Sequence, residues 1–410
     1  MTSVLDASIS NSLPARHPDA PLHLPPMIRI LATRYGVRPT TDAEFRRLGE
    51  CLTVGDEPMD RLVDWMFVSG RKQGRALFEQ ALAGGIDTVP DAPMELREFF
   101  ESIERTPDWV DWDLLERGAR ALRSTGSDGQ YVARDVALQG GYQFAGFNQT
   151  LLRTGALQKG SNQRWAETMR WGMDVAKAGA MRPGGVGFQG TVRVRMIHAF
   201  VRRHVAAMDD WDAAQWGLPI NQTDMAATIH GSFYVPVTAG MGLGMIHTPR
   251  NLDAVAHFTR YVGWLIGVTE EFLPKDFAGG VRMLTHTLSA LATPDETSRL
   301  LAMPMADDPL SWNFGRLQWM RRRIARSQHL SVLKGAMGAK AMRELGLPVP
   351  LLPWYPAVRF PINLVRSGMA LLPGGLERAA DRGSREADQF MLRLNAKSEI
   401  GGSIAGLRQH

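Results

Sequence analysis

Arg193-Val194-Arg195-Met196-Ile197-His198-Ala199-Phe200-Val201-Arg202-Arg203-His204 is the stretch whose reading decides the fold. As a helix it puts Arg195, His198 and Arg202 at i, i+3 and i+7 on one face, with Val194, Ile197 and Val201 on an adjoining apolar stripe. A neutral imidazole binds a metal through one ring nitrogen, and an arginine fork matches a carboxylate such as a haem propionate. The same spacing also describes a solvated basic face on which His198 titrates near neutrality. Spacing alone leaves both readings open.

Outward from this stretch the chain reads as helical. Residues 1–30 hold Pro14, Pro18, Pro21, Pro25 and Pro26 with little periodicity and form an irregular arm. Thr41-Asp42-Ala43-Glu44 is a capping box, and Pro58 sits where a first helical turn tolerates it. Met94 to Glu104 is a further helix, and Gln130 to Arg153 reads as one segment despite Gly140, Gly141 and Gly146. Arg164, Thr168, Trp171 and Val175 share a stripe on the next helix, which Ser161 or Asn162 is placed to cap. The glycine-rich loop 181–190 lacks the order of a phosphate-binding loop and follows no strand, so it is a connector. Later helices run near Thr297, over Leu310 to Arg326, Leu333 to Leu345 and Leu376 to Leu394. Pro348, Pro350, Pro353, Pro356 and Pro361 predict an extended segment that packs across the body. No repeat or internal boundary appears. The expectation is one all-α domain over residues 31–396 and a flexible tail over 397–410.

Composition narrows the function. Hydrophobic and charged fractions of 44% and 22% are those of a soluble globular protein. The single Cys51 excludes an intrachain disulfide and any cysteine-held cluster. Eleven tryptophans and 21 methionines suit the lining of a large apolar cavity, as they suit core packing. The net charge of +5 comes from scattered arginines. Only Arg321-Arg322-Arg323 with Arg326, beside Trp312, Trp319 and Met320, form a dense run. That run admits peripheral contact with an anionic membrane, though a solvated helix face is its ordinary reading, and no nucleic-acid partner is expected. The apolar run Gly231 to Ile246 is too short and glycine-rich to span a bilayer. The first residues show neither a basic start before an apolar run nor a twin-arginine signal, which places the chain in the cytoplasm.

Arg195-x-x-His198-Ala199-x-x-Arg202 resembles the haem helix of the rubber oxygenase (latex clearing protein) and MpaB oxygenase family. Pro107-Asp108-Trp109-Val110-Asp111-Trp112 with Leu114 to Gly118 is similar to that family's N-terminal signature. Asn221-Gln222-x-Asp224 with Thr228 is similar to its N-Q-x-D-x-x-x-T segment, and Tyr261 to Val268 to a later helix. The matches occur in family order. The resemblance implies a globin-like helical core holding non-covalent haem b, with His198 as proximal iron ligand and His230 as the rival. Arg195, Arg202 and Thr228 would contact the cofactor. On the distal side it points to Arg164, Glu167 and Thr168. Relatives often place an iron-ligating lysine where this chain has Glu167, and Asn148 stands near where a catalytic glutamate is expected. Glu167, desolvated by Trp165 and Trp171, is then a candidate base; the plain alternative is an Arg164–Glu167 surface pair.

The activity implied is O2-dependent cleavage of a carbon–carbon double bond in an apolar isoprenoid or related lipid. A haem sensor or carrier, and a haem-free helical protein binding membrane or nucleic acid, are the other classes. Oligomeric state is not legible.

Overall fold

The computed structural model describes residues 13–291 and 293–394, and every regular element among them is helical. The expected tail, 397–410, and the first twelve residues of the expected arm lie outside the described residues. The arm is shorter than predicted, because Pro26 opens a helix, Pro26–Arg34, that buries Ile28 and Leu31. Thr41 and Glu44 close their capping box, and Met94–Glu104 forms as expected.

One helix organises the rest. The central helix, Gln222–Gly240, carries no charge beyond Asp224 in its first turn and is apolar nearly all round, the pattern of a helix with no solvent side. Its first half, through Met225, Ile229 and Phe233, joins an apolar cluster with Phe99, Val192 and Phe258. Its second half, through Tyr234, Val235 and Val237, joins another with Tyr142, Trp312 and Leu333. Every residue of this helix is buried except Thr228, Gly231 and Ser232. Trp112–Ser124 and Pro249–Leu265 pack most closely where Gly118 meets the Ala254 carbonyl, 2.2 Å from where a Cβ would sit.

Three expectations are corrected. Gln130 to Arg153 is not one helix. It divides into Gly126–Val132, a π-helical stretch Ala133–Gln139, and Ala145–Arg153. The wider π turn lets the neighbours Arg134 and Asp135 both face the interior, where each is fully buried. The separate helices expected around Arg326 and Leu333 are one, Gln318–Glu344, bent at Gly338 with φ 81°. The proline-rich segment is extended only to Pro353. From there Trp354–Ala370 is helical: Pro356 falls in the first turn, whose amides need no intrahelical partner, and Pro361 removes one bond from the interior.

Candidate functional site

The histidine helix, Val186–Ala206, is held by its two motif arginines. Arg195 donates to both oxygens of Asp56, at 2.6 and 2.7 Å, and to the Leu265 carbonyl at 3.1 Å. Arg202 reaches Asp60 and the Ile220 carbonyl and touches Met225 Sδ at 3.5 Å. Burial pushes the Asp60 carboxyl up to about 6 despite the opposing charge of Arg202. Gly267, at φ 94°, passes so close that a Cβ would stand 2.3 Å from Asp56 and 2.7 Å from Arg195. Both forks are engaged in fastening this helix to Glu57–Ser69, through its N-cap residue Asp56 and its first-turn Asp60, rather than extended toward a cofactor.

The other motifs serve the same frame. Asn221 caps the central helix by accepting the Asp224 amide, and Asp224 takes the buried Arg16 at 2.7 Å. Gln222 donates to the Gly55 and Gly267 carbonyls and accepts the Thr269 amide. Trp109 lies under the Arg260 guanidinium at 3.9 Å, and Trp112 meets Tyr261 edge-on at 5.4 Å. The Asp111 amide donates to His257. The four stretches are thus one scaffold behind His198.

Among the described residues His198 itself is held by no side-chain hydrogen bond. It lies deep in the molecule yet keeps part of its ring accessible. Nδ1 is buried without a hydrogen-bond partner among the described residues. Burial, reinforced by the charge of Arg202 and opposed by Asp56, pushes its pKa down to about 4. At neutral pH the ring is an uncharged imidazole with a free lone pair, the form that ligates a metal.

Three helices, the histidine helix among them, are joined through Trp171 and Arg202. Trp171 Nε1, on Ser161–Val175, donates to Thr191 of the histidine helix at 3.1 Å, and its ring lies 5.9 Å from Phe233 of the central helix. Arg202 touching Met225 closes the third side. One turn back from Arg202 is His198; one turn on from Met225 is Thr228. Thr228, Gly231 and Ser232, at i, i+3 and i+4, therefore open the central helix on the side of this junction, and a Cβ at Gly231 or Gly172 would meet nothing within 4 Å. Among the described residues no three His, Cys, Asp or Glu side chains converge as a metal cage. A lone imidazole beside an open flank suits a cofactor that brings its own in-plane nitrogens, so the residues present fit haem.

On Ser161–Val175, Thr168 is exposed and hydrogen-bonds the Arg164 carbonyl at 3.0 Å. Arg164 donates to the Tyr142 hydroxyl at 3.2 Å and lies over that ring. Glu167 accepts from Lys159 and, at 3.0 Å, from Gln163, so Lys159 is the cation seated on its carboxylate where Arg164 was the expected partner. Asn148 is fully buried and donates to the Tyr142 carbonyl, its Oδ1 left without a partner. His230 is also fully buried, but its Nε2 donates to the Phe272 carbonyl at 2.8 Å and it lies off the open stripe. Sequence reading missed Asp56 and Asp60, whose i, i+4 spacing before the arginine pair was the available signal, and Lys159.

A rubber oxygenase of Streptomyces sp. (strain K30) is 28% identical over 200 residues, 48% of this chain and 47% of that protein. The chain thus matches about half the length of this curated relative. The structure of latex clearing protein in the closed state superposes with a TM-score of 0.63 at 21% identity, covering 85% of this chain and 93% of the other. That likeness establishes the fold. The family described as ER-bound oxygenase mpaB/B'/rubber oxygenase, catalytic domain, matches residues 129–372, more than half of the chain, and this protein belongs to that family.

Proposed function

We propose that this protein is a haem b oxygenase that binds its cofactor non-covalently through His198 and uses O2 to cleave a double bond in an apolar isoprenoid or related lipid. The observation that carries the reading is the uncharged, deeply placed His198 ring, whose Nδ1 has no hydrogen-bond partner among the described residues. The family and the name of the curated relative support an oxygenase and an apolar substrate.

Haem bound here would supply the iron at which oxygen is activated. His198 would hold it from one side, with Arg195 and Arg202 keeping the helix in place through Asp56 and Asp60. Gly231 and Gly172 have open space where a Cβ would stand, and Thr228 would contact the cofactor from the same helix as Gly231. Trp171 and Phe233, 5.9 Å apart, and the buried Trp165 would supply apolar surroundings. Thr168 presents a hydroxyl, steadied by its bond to the Arg164 carbonyl. Glu167, held by Lys159 and Gln163, would be the carboxylate that accepts an allylic proton.

Purified protein titrated with haem is expected to give a Soret band that His198→Ala abolishes. A protein that stays without a Soret band after haem addition would sink the reading. Engagement of both Glu167 oxygens favours a second reading, a haem carrier without turnover. Oxygen uptake with an unsaturated isoprenoid separates the two. If Glu167 is the base, Glu167→Gln keeps haem and lowers uptake by about 10² to 10⁴ fold; uptake at the wild-type rate removes Glu167 from the mechanism.

A further inference from the structure

The helix Trp354–Ala370 is inside out. Its polar stripe, Arg359, Asn363 and Arg366 at i, i+4 and i+7, faces the body of the protein. Arg359 and Asn363 both bind the buried Asp128, at 2.8 and 2.7 Å, and Asn363 also donates to the Leu243 carbonyl. Arg366 rests on Glu386 at 3.4 Å. Facing outward are Val358, Phe360, Ile362, Leu364, Val365 and Met369, each 42% to 65% exposed. Leu371 and Leu372 continue that surface. Between Glu344 and Glu377 the chain has no acidic residue. At 1.5 Å per residue the helix alone presents an apolar ridge about 25 Å long.

A helix in water turns its apolar face inward. The reverse order is expected where the outside is itself an apolar phase. Charge identifies which. Trp354 donates to Ser327 at 3.0 Å, and one to two turns before Ser327 stand the exposed Trp319, Arg321 and Arg323. At the far end Arg366 and Arg382 share the single carboxylate of Glu386, at 3.4 and 3.7 Å, which leaves one positive charge in excess. Tryptophan and arginine bordering an apolar ridge are complementary to a lipid surface with anionic headgroups. No helix among the described residues is long and apolar enough to cross a membrane.

We propose that the outer face of Trp354–Ala370 docks the protein flat on an anionic phospholipid surface, through this ridge rather than through the basic run 321–326 alone. The proposal is independent of the haem reading and is tested without it. Purified full-length protein is floated with vesicles of phosphatidylcholine alone and of phosphatidylcholine mixed with phosphatidylglycerol. Wild type is expected to float with the mixed vesicles. Val358→Glu with Val365→Glu, both at exposed positions, is expected to bind them at least about 10-fold more weakly with an unchanged melting curve. Failure of wild type to bind either vesicle, or equal binding by the variant, overturns the proposal. Equal binding to both vesicle types overturns its anionic part. A wild-type dimer by light scattering that the variant converts to monomer assigns the ridge to a second copy instead.

Discussion

His329 and His198 both lie deep in the molecule, and burial lowers the pKa of each below the usual histidine value. Their surroundings are opposite. His329 Nδ1 stands 2.7 and 3.0 Å from the two oxygens of Asp135. Arg134 bridges Asp135 to Asp308, and Ser161 donates to Asp308 at 2.7 Å. Tyr131 and Trp312 meet the imidazole edge-on at 4.8 and 5.0 Å, and Phe390 stacks on it. His198 has no such partner. Buried polar atoms are nearly always paired. The fold completes the bonds of one histidine and leaves Nδ1 of the other without a partner among the described residues, the contrast on which the proposed haem ligand rests.

The largest effect that can break this comparison is on stability. Asp135→Ala removes the partner of His329 Nδ1 and leaves Arg134 with Asp308 and the Met305 carbonyl, and loss of one member of a buried ion pair is expected to cost about 3 to 5 kcal/mol. His198→Ala removes a ring with no hydrogen bond and is expected to change haem-free stability by no more than about 1 kcal/mol. Urea unfolding of the two haem-free variants measures both. Equal losses would show that His198 is as structural as His329.

Acid titration sharpens the same contrast. An unfolded histidine takes up a proton near 6.5, whereas folded His198 does so only at about 4. As pH falls through this window the unfolded chain binds more protons, so haem-free stability is full above about 6.5 and declines toward 4, by at most roughly 3 kcal/mol for one such group. His230 and His247 are likewise pushed down to about 4 and add to the slope. Melting temperature followed from pH 7 to 4.5 is expected to fall less steeply in His198→Ala than in wild type. Parallel curves would mean that the ring is protonated at its ordinary pH.

Much of this was legible in the sequence. Apolar spacing marks Met94–Glu104 and the histidine helix, because a helix must repeat its buried face every three or four residues. The motif around His198 points to a histidine whose Nδ1 the fold buries without a partner among the described residues, on the helix the spacing predicts. It does not name partners. Arg195 and Arg202 suit a propionate and an aspartate equally well, and only the fold brings Asp56 and Asp60 to them across more than 130 residues. The Lys159–Glu167 pair was hidden because it joins two short helices across a turn at Gly160. Trp354–Ala370 was hidden for a different reason. Its prolines forbid a helix by propensity, and its apolar residues demand burial by pattern. The structure overrides the first through tertiary bonds, the Tyr355 amide to Ser331 and the Arg359 and Asn363 bonds to Asp128, and leaves the second unmet.

The smallest expected effect tests whether the open stripe is a binding edge or only a gap. Thr228 Oγ1 donates to the Asp224 carbonyl one turn back at 2.7 Å, a bond the helix does not need, since that carbonyl already serves the backbone. Thr228→Val keeps the shape and removes the hydroxyl, so haem-free stability is expected to shift by less than about 0.5 kcal/mol. If the hydroxyl also faces a bound cofactor, one neutral hydrogen bond, about 1 kcal/mol, is lost there, and haem affinity falls by roughly 5- to 10-fold. Ser232→Ala, on the same stripe and bonded in the same way to the Thr228 carbonyl, is the matched comparison. Haem titration by the Soret band reads both variants. A fall confined to Thr228→Val places the cofactor edge at that turn, and unchanged affinity in both would leave the stripe as mere space beside His198.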